Sequence, residues 1–188
     1  MKFPKSFIPD KDLKNNIEKL IKEPKKNKTF SELGVEYLIQ SCDEFLTDQK
    51  RKDMFAGRSI AKRIADEIIY TKQELEELSK RITVKKETDR QLGIYLSFLV
   101  NKIIKEKDII KLTLKHELKY IGTKLSRGTL IVKGNVGKYS GWCMTGGELI
   151  IEGNAKSAGW FMRGGHYTLK GNAIGDVGAG MADGYITV

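Results

Sequence analysis

The residue types that most often carry out chemistry are scarce in this chain. It holds two histidines, His116 and His166, and two cysteines, Cys42 and Cys143. Two cysteines exclude a four-cysteine zinc site and a cysteine-held iron–sulfur cluster within this chain alone. Neither histidine has a cluster of Asp, His or Cys beside it in sequence. We therefore assign no catalytic residue, no metal ligand and no cofactor.

Two glycine-containing stretches approach phosphate-binding loops without matching them. Gly178-Ala-Gly180 followed by Gly184 is similar to a dinucleotide fingerprint, but its last interval is one residue too long and no βαβ pattern surrounds it. Gly137-Lys138 lacks the glycine five residues earlier that a phosphate-binding Walker A loop requires. A repeat explains these glycines better than a ligand does.

From Gly128 onward the chain repeats itself with successive spacings of 19, 18 and 19 residues. The copies are GTLIVKGNVGKYSGWCMTG, GELIIEGNAKSAGWFMRG and GHYTLKGNAIGDVGAGMAD, followed by GYITV. A unit this short cannot bury a hydrophobic face alone, so the copies must stack. The residues in register form a predicted structural ladder: Gly122, Gly128, Gly134, Asn135, Gly141, Trp142, Met144, Gly147, Gly153, Asn154, Gly159, Trp160, Met162, Gly165, Gly171, Asn172, Gly178, Met181 and Gly184.

This repeat predicts a parallel β-solenoid in which each copy forms one coil. Successive coils would pair at about 4.8 Å, with equivalent residues directly above one another. We attribute the three Gly-Asn pairs to corners that need positive φ, and we expect the asparagines to hydrogen-bond along the stack. The predicted inward columns are Leu130/Leu149/Tyr167/Ile186, Val132/Ile151/Leu169/Val188, and a further one of Trp142/Trp160 with Met144/Met162/Met181.

The first part of the chain is charged, and its apolar residues recur at helical spacing. Only three of the 19 glycines lie in residues 1–120. Thr71 followed by Glu74 matches a capping box, which predicts a helix start. The more apolar segment Leu92–Ile104 is expected to be a helix that packs against the second half. From Ile110 to Leu114 apolar and polar residues alternate, which is typical of a strand.

The run GELIIEGNAKSAGWFMRGG and its neighbours resemble the glycine-repeat (GXGXG) β-helix domain found in the large chain of glutamate synthase and in one of the chains of formylmethanofuran dehydrogenase. The resemblance covers about residues 109–188. It implies a right-handed β-helix that supports and joins other domains and carries no redox chemistry itself. The expected fold class is α+β, with an N-terminal helical domain or cap over 1–108 and a short right-handed parallel β-helix of about four coils over 109–188.

The formal net charge is +10, which raises nucleic acid as a partner. However, the 34 basic residues are mostly Lys interleaved with Asp and Glu, and no RNA-binding signature occurs, so the pattern favours a solvated helical surface. The longest apolar stretches, such as Ile94–Val100, fall far short of the ~20 residues of a membrane helix. No basic segment followed by an apolar run opens the chain, so we expect no secretory signal. We expect a cytoplasmic protein with no membrane contact.

The last residue, Val188, follows a strand that would begin another coil, so we expect an open β edge there. Cys143 falls between inward positions and would face outward, in line with Phe161. The candidate interface residues are Cys143, Phe161, Tyr185 and Ile186. We expect a homo-oligomer or a protein partner at this edge.

The predicted function is a non-catalytic scaffold or assembly protein. One alternative is an accessory component of a molybdenum- or tungsten-dependent formylmethanofuran dehydrogenase or related oxidoreductase, with the other chains of that enzyme as partners. The other alternative is a basic nucleic-acid-binding protein.

Overall fold

A computed structural model describes residues 30–47, 62, 65–66, 68–83 and 88–188 of the chain. Helices come first and strands follow, so the predicted α+β class is confirmed. The capping box at the start of the second helix is also confirmed: the Thr71 side chain accepts from the Glu74 N–H, and the Glu74 carboxylate accepts from the Thr71 N–H. The elements are α1 (Phe30–Thr47), α2 (Lys72–Arg81), α3 (Asp89–Ile103), β1 (Ile109–Thr113), β2 (Thr129–Lys133), β3 (Glu148–Glu152), β4 (Arg163–Leu169) and β5 (Asp183–Thr187).

The strands form one parallel sheet in the order β1-β2-β3-β4-β5. The predicted register is confirmed, because Leu130 pairs with Leu149, Leu149 with Tyr167, and Tyr167 with Ile186. Single-residue bridges hold the other sides of each coil together. With about four turns the chain forms the predicted β-solenoid. The bridges are Val136–Ala155–Ala173 and Ser140–Ala158–Val177.

The tryptophans do not join the methionines in the interior. Met144 and Met162 are fully buried, whereas Trp142 and Trp160 are half-buried. The expectation that all four share an inward column was wrong for the tryptophans. Residues 141–144 form a turn, with Gly141 at φ +68°, so the two-residue alternation of an extended strand does not apply there.

At two of the three Gly-Asn corners the glycine is needed for a different reason from the one predicted. Gly134 has φ +117°, as expected, but Gly153 and Gly171 do not adopt positive φ. A Cβ on Gly153 would overlap the Gly134 carbonyl oxygen and lie 2.6 Å from its carbonyl carbon. A Cβ on Gly171 would lie 2.7 Å from the carbonyl carbon of Gly153. At these two corners the close approach of one coil to the next excludes a side chain.

The asparagines form the hydrogen-bonded stack that the sequence predicts. The Asn154 N–H donates to Asn135 Oδ1 at 2.9 Å, and the Asn172 N–H donates to Asn154 Oδ1 at 2.8 Å. Each side chain thus accepts from the backbone of the coil above it. The ladder fixes the axial spacing at the corner where glycine allows the coils to approach.

Helix α3 lies against the first coil, as expected for the segment Leu92–Ile104. Gly93 allows the contact, because a Cβ there would overlap the carbonyl oxygen of Lys119. The Ser97 hydroxyl lies 3.1 Å from the Tyr120 carbonyl oxygen and donates to it. Along the rest of the interface α3 buries a continuous apolar surface. The helix therefore covers the interior of the solenoid at its amino-terminal end.

Candidate functional site

The amino-terminal edge of the sheet is covered by helix α2. The outward N–H of Lys111 donates to Glu76 Oε1 at 2.9 Å, and the N–H of Thr113 donates to Ser79 Oγ at 2.9 Å. Leu75 and Leu78 of α2 are fully buried and hold the helix in place. These side chains occupy the backbone donors that an incoming strand would need, so this end of the sheet is capped.

The opposite edge of the sheet, at β5, has no such cover within the part of the chain that the structure describes. In β4 the His166 N–H donates to the Gly147 carbonyl of the preceding coil. Tyr185 is the register partner of His166, so its backbone groups face β4 in the same way. Because successive residues of a strand face opposite edges, the N–H and C=O of Ile186 point away from β4. No described residue pairs with them, so among residues 88–188 and the described helices these groups are available to a further strand.

In the part of the chain that the structure describes, the apolar columns of the solenoid also become exposed at this end. The last members of the inward columns are Ala173, Val177, Met181, Ile186 and Val188, which we call the end face. Val177 is 42% exposed and Val188 is 64% exposed, while the other three are half-buried. One coil earlier the residues in the same columns are completely or almost completely buried. Those residues are Ala155, Ala158, Met162, Tyr167 and Leu169.

The terminal coil lacks the residues with which sheets usually protect an edge. None of the 34 Lys and Arg residues and none of the three prolines lies in residues 171–188. The charged side chains of this coil are Asp176 and Asp183. Exposed edge strands are commonly protected by lysine, proline or a covering element. Among the described residues the end face therefore combines backbone groups without a strand partner, exposed apolar side chains and little charge.

The four predicted interface residues lie on different parts of the solenoid. Ile186 belongs to the end face, and Tyr185, which is 75% exposed, lies beside it on the outer surface of the sheet. Cys143 lies on the 141–144 turn and Phe161 at the equivalent position of the 159–162 turn in the next coil, with φ of +54° and +53°. Phe161 is 47% exposed, and its ring packs over Gly180 of the terminal coil.

Sequence reasoning missed two of the end-face residues and the side chains of the cap. Ala173 and Val177 lie on bridge positions, where the repeat holds small residues that give little hydrophobic signal. The in-register set Ser140, Ala158 and Val177 could have indicated that column. Glu76 reaches Lys111 across 35 positions of sequence, and no local pattern predicts such a contact.

His166 lies at an exposed position and Cys42 at a buried one. His166 lies opposite Glu148 on the outer surface of the sheet, as predicted, and its Nε2 is 3.2 Å from Thr187 Oγ1. Burial raises the pKa of the Cys42 thiol, which disfavours its thiolate form. No group of three or more His, Cys, Asp or Glu side chains that could hold a metal occurs among the described residues. None of the described helices has the length and apolar character needed to cross a membrane.

Comparison with known proteins found no family model, no curated protein and no solved structure that matches the chain. The end face is the surface on which exposed apolar side chains and an open sheet edge coincide. It is therefore the candidate functional site.

Proposed function

We propose that this chain is a non-catalytic scaffold or assembly protein that binds protein through the end face of its β-solenoid. One observation carries the proposal: columns that are buried in the inner coils become exposed at the end face, whereas helices cover the other end. Exposed apolar surface bounded by an unpaired strand is the kind of surface to which a partner strand can add. The helices α2 and α3 restrict this binding to one end.

Binding would pair the open edge of the sheet at β5 and cover the exposed apolar side chains of the end face. A partner strand along β5 would satisfy the backbone groups of Ile186 and extend the sheet. The same partner would cover Val177 and Val188, whose counterparts in the preceding coil are buried. Burial of apolar side chains supplies affinity, and strand pairing supplies orientation.

A second candidate is an accessory component of a molybdenum- or tungsten-dependent formylmethanofuran dehydrogenase or a related oxidoreductase. Its support is the glycine-repeat resemblance of residues 109–188, together with the stacking of the Gly, Asn and Met positions on which that resemblance rests. In this case the end face or the side of the solenoid would contact another chain of the enzyme. Molybdenum or tungsten that co-purifies in stoichiometric amount would favour this candidate.

The test is capture from the native host with tagged wild-type protein and two variants. Val177→Lys places a charge in the end face, and burying it unpaired against a partner should reduce capture by about tenfold or more. Ile69→Lys makes a similar change at a side chain that is 68% exposed and lies outside the solenoid. We expect wild type and Ile69→Lys to recover the same protein, including untagged copies of the chain itself. Equal recovery by all three proteins would contradict the proposal.

A further inference from the structure

We infer that the partner of the end face is a second copy of this chain, and that the two copies form a closed two-fold dimer in which β5 pairs antiparallel with its mate. This inference rests on the proposed function, because it requires that the end face bind protein. It adds the identity of the partner, the direction of the strands and the number of copies. Three features of the solenoid support it.

The first feature is that the chain cannot stack head to tail. In a head-to-tail stack, β5 of one copy would pair with the outer edge of β1 in the next. That edge already donates its Lys111 and Thr113 N–H groups to Glu76 and Ser79. The interior behind it is covered by α3. The open edge of a second copy is therefore its own β5, and pairing like with like gives a closed dimer instead of a filament.

The second feature is that the end face is self-complementary. A two-fold axis perpendicular to the sheet, lying midway between Ile186 and its mate on the open side of β5, sets β5 beside its mate in one continuous sheet and keeps both interiors on the same side. The outward N–H and C=O of Ile186 then pair with those of the other Ile186. The same rotation turns the end faces of the two copies toward each other, so that the exposed Val177 and Val188 of each copy face the other copy.

The third feature is the placement of charge. With Ile186 opposite its mate, the two Asp183 side chains lie at opposite ends of the paired strands, about 20 Å apart at the rise of a strand. That distance exceeds the screening length of about 8 Å at physiological ionic strength. No lysine or arginine of the terminal coil enters the contact. The repulsion between copies comes from the remaining surface, because each chain carries a net charge of +10.

Sedimentation equilibrium of purified protein tests the stoichiometry. We expect wild type and Ile69→Lys to approach twice the monomer mass of 21.2 kDa as concentration rises, with no larger species. Val177→Lys should stay monomeric at concentrations about tenfold higher. Added salt should strengthen the dimer, because it screens the repulsion between two basic chains, whereas it would weaken binding of an acidic partner. A wild-type monomer at all concentrations, or open-ended growth, would overturn the inference.

Disulfide trapping tests strand direction and register in a Cys143→Ser background. In the inferred dimer Tyr185 lies opposite Thr187 of the other copy, at a non-hydrogen-bonded position with Cα atoms about 4.5 Å apart, which suits a disulfide. Oxidation of a mixture of Tyr185→Cys and Thr187→Cys proteins should give cross-linked dimers. Either variant alone should give few cross-linked dimers. In the inferred register, position 185 of one chain is opposite position 187 of the other, so two identical positions lie diagonally across the strand pair and too far apart for a disulfide. Equal cross-linking in the mixture and in the single variants would refute this register.

The two proposals fail in different ways. A monomeric wild type whose capture of another protein is abolished by Val177→Lys would refute the dimer and leave the end face as a binding surface. A dimer that Val177→Lys does not weaken would refute the inferred contact. If Val177→Lys also left every captured protein in place, the proposed function would fail with it.

Discussion

The substitution Gly153→Ala tests whether close stacking of the coils explains the glycine repeat. Gly153 does not have positive φ, so a side chain would cause no backbone strain of its own. The added Cβ would nevertheless overlap the Gly134 carbonyl oxygen of the coil below. The Gly134 carbonyl is backbone and the position of a Cβ is fixed by the backbone of its own residue, so neither group can rotate aside. The two coils must separate at this corner, or the chain must shift out of register.

The expected cost follows from the hydrogen bonds that span this corner. The Asn154 N–H to Asn135 Oδ1 bond is 2.9 Å long, the Val136 N–H to Asn154 O bond is 2.8 Å, and the Gly134 N–H to Glu152 O bond is 3.3 Å. At about 1 kcal/mol for each bond, their loss would lower the free energy of unfolding by about 3 kcal/mol. For a chain of this size that corresponds to a fall in Tm of roughly 6–12 °C.

Thermal and denaturant unfolding of three alanine variants measures the effect. Gly137→Ala is the milder control, because its Cβ would meet Lys119 Cγ at 3.0 Å, on a side chain that can move, and would lie 3.3 Å from the Leu118 carbonyl, a smaller overlap than at Gly153. We expect that variant to lose less than about 1 kcal/mol. Gly178→Ala isolates backbone strain, since Gly178 has φ +69° and the nearest atom to a new Cβ is 3.5 Å away, which predicts a loss of about 1–2 kcal/mol. Equal Tm values for Gly153→Ala and Gly137→Ala would refute the reasoning.

Three further predictions concern the cap, acid stability and the thiols. Glu76→Ala and Ser79→Ala should each lower the free energy of unfolding by about 1 kcal/mol and speed hydrogen exchange in β1; unchanged exchange would count against the cap. The pKa of Asp108 is lowered by the hydrogen bond from the Lys105 backbone and by Lys72, so its contribution is present above the ordinary carboxyl pKa of 3.8 and is lost as pH falls below it. Asp108→Asn should therefore lose less stability than wild type on acidification below about pH 4; parallel acid-unfolding curves would contradict this. Buried Cys42 should resist a thiol reagent in the native state whereas Cys143 reacts, and equal rates would contradict the placement of Cys42 in the core.

The repeat allowed the solenoid and its register to be predicted, because equivalent residues of stacked coils must lie above one another. Once Leu130 and Leu149 were assigned to one column, the positions of Tyr167 and Ile186 followed. The stacked asparagines followed from the same spacing. The inward placement of Trp142 failed because it assumed an extended strand where the chain turns, and a spacing of two residues does not distinguish these conformations.

Contacts between distant segments were beyond sequence reasoning. Glu76 caps the sheet because α2 lies along β1, and its position depends on how the helices pack. The reason for glycine at position 153 could not be predicted either. A positive φ and a close approach of the neighbouring coil both require glycine, so the sequence does not distinguish the two. The end face was only partly anticipated, because its alanine and its bridge-position valine carry no periodic hydrophobic signal.

Hydrogen exchange at β5 tests the central claim, that the end face is the surface through which this protein associates. Exchange of the 171–188 segment would be measured at concentrations below and above the association midpoint, with β1 as the internal reference. We predict that association slows exchange in β5, where the Ile186 N–H gains a partner, and leaves β1 unchanged because its edge is already capped. Association with unchanged exchange in β5, or with protection on another surface, would contradict the claim.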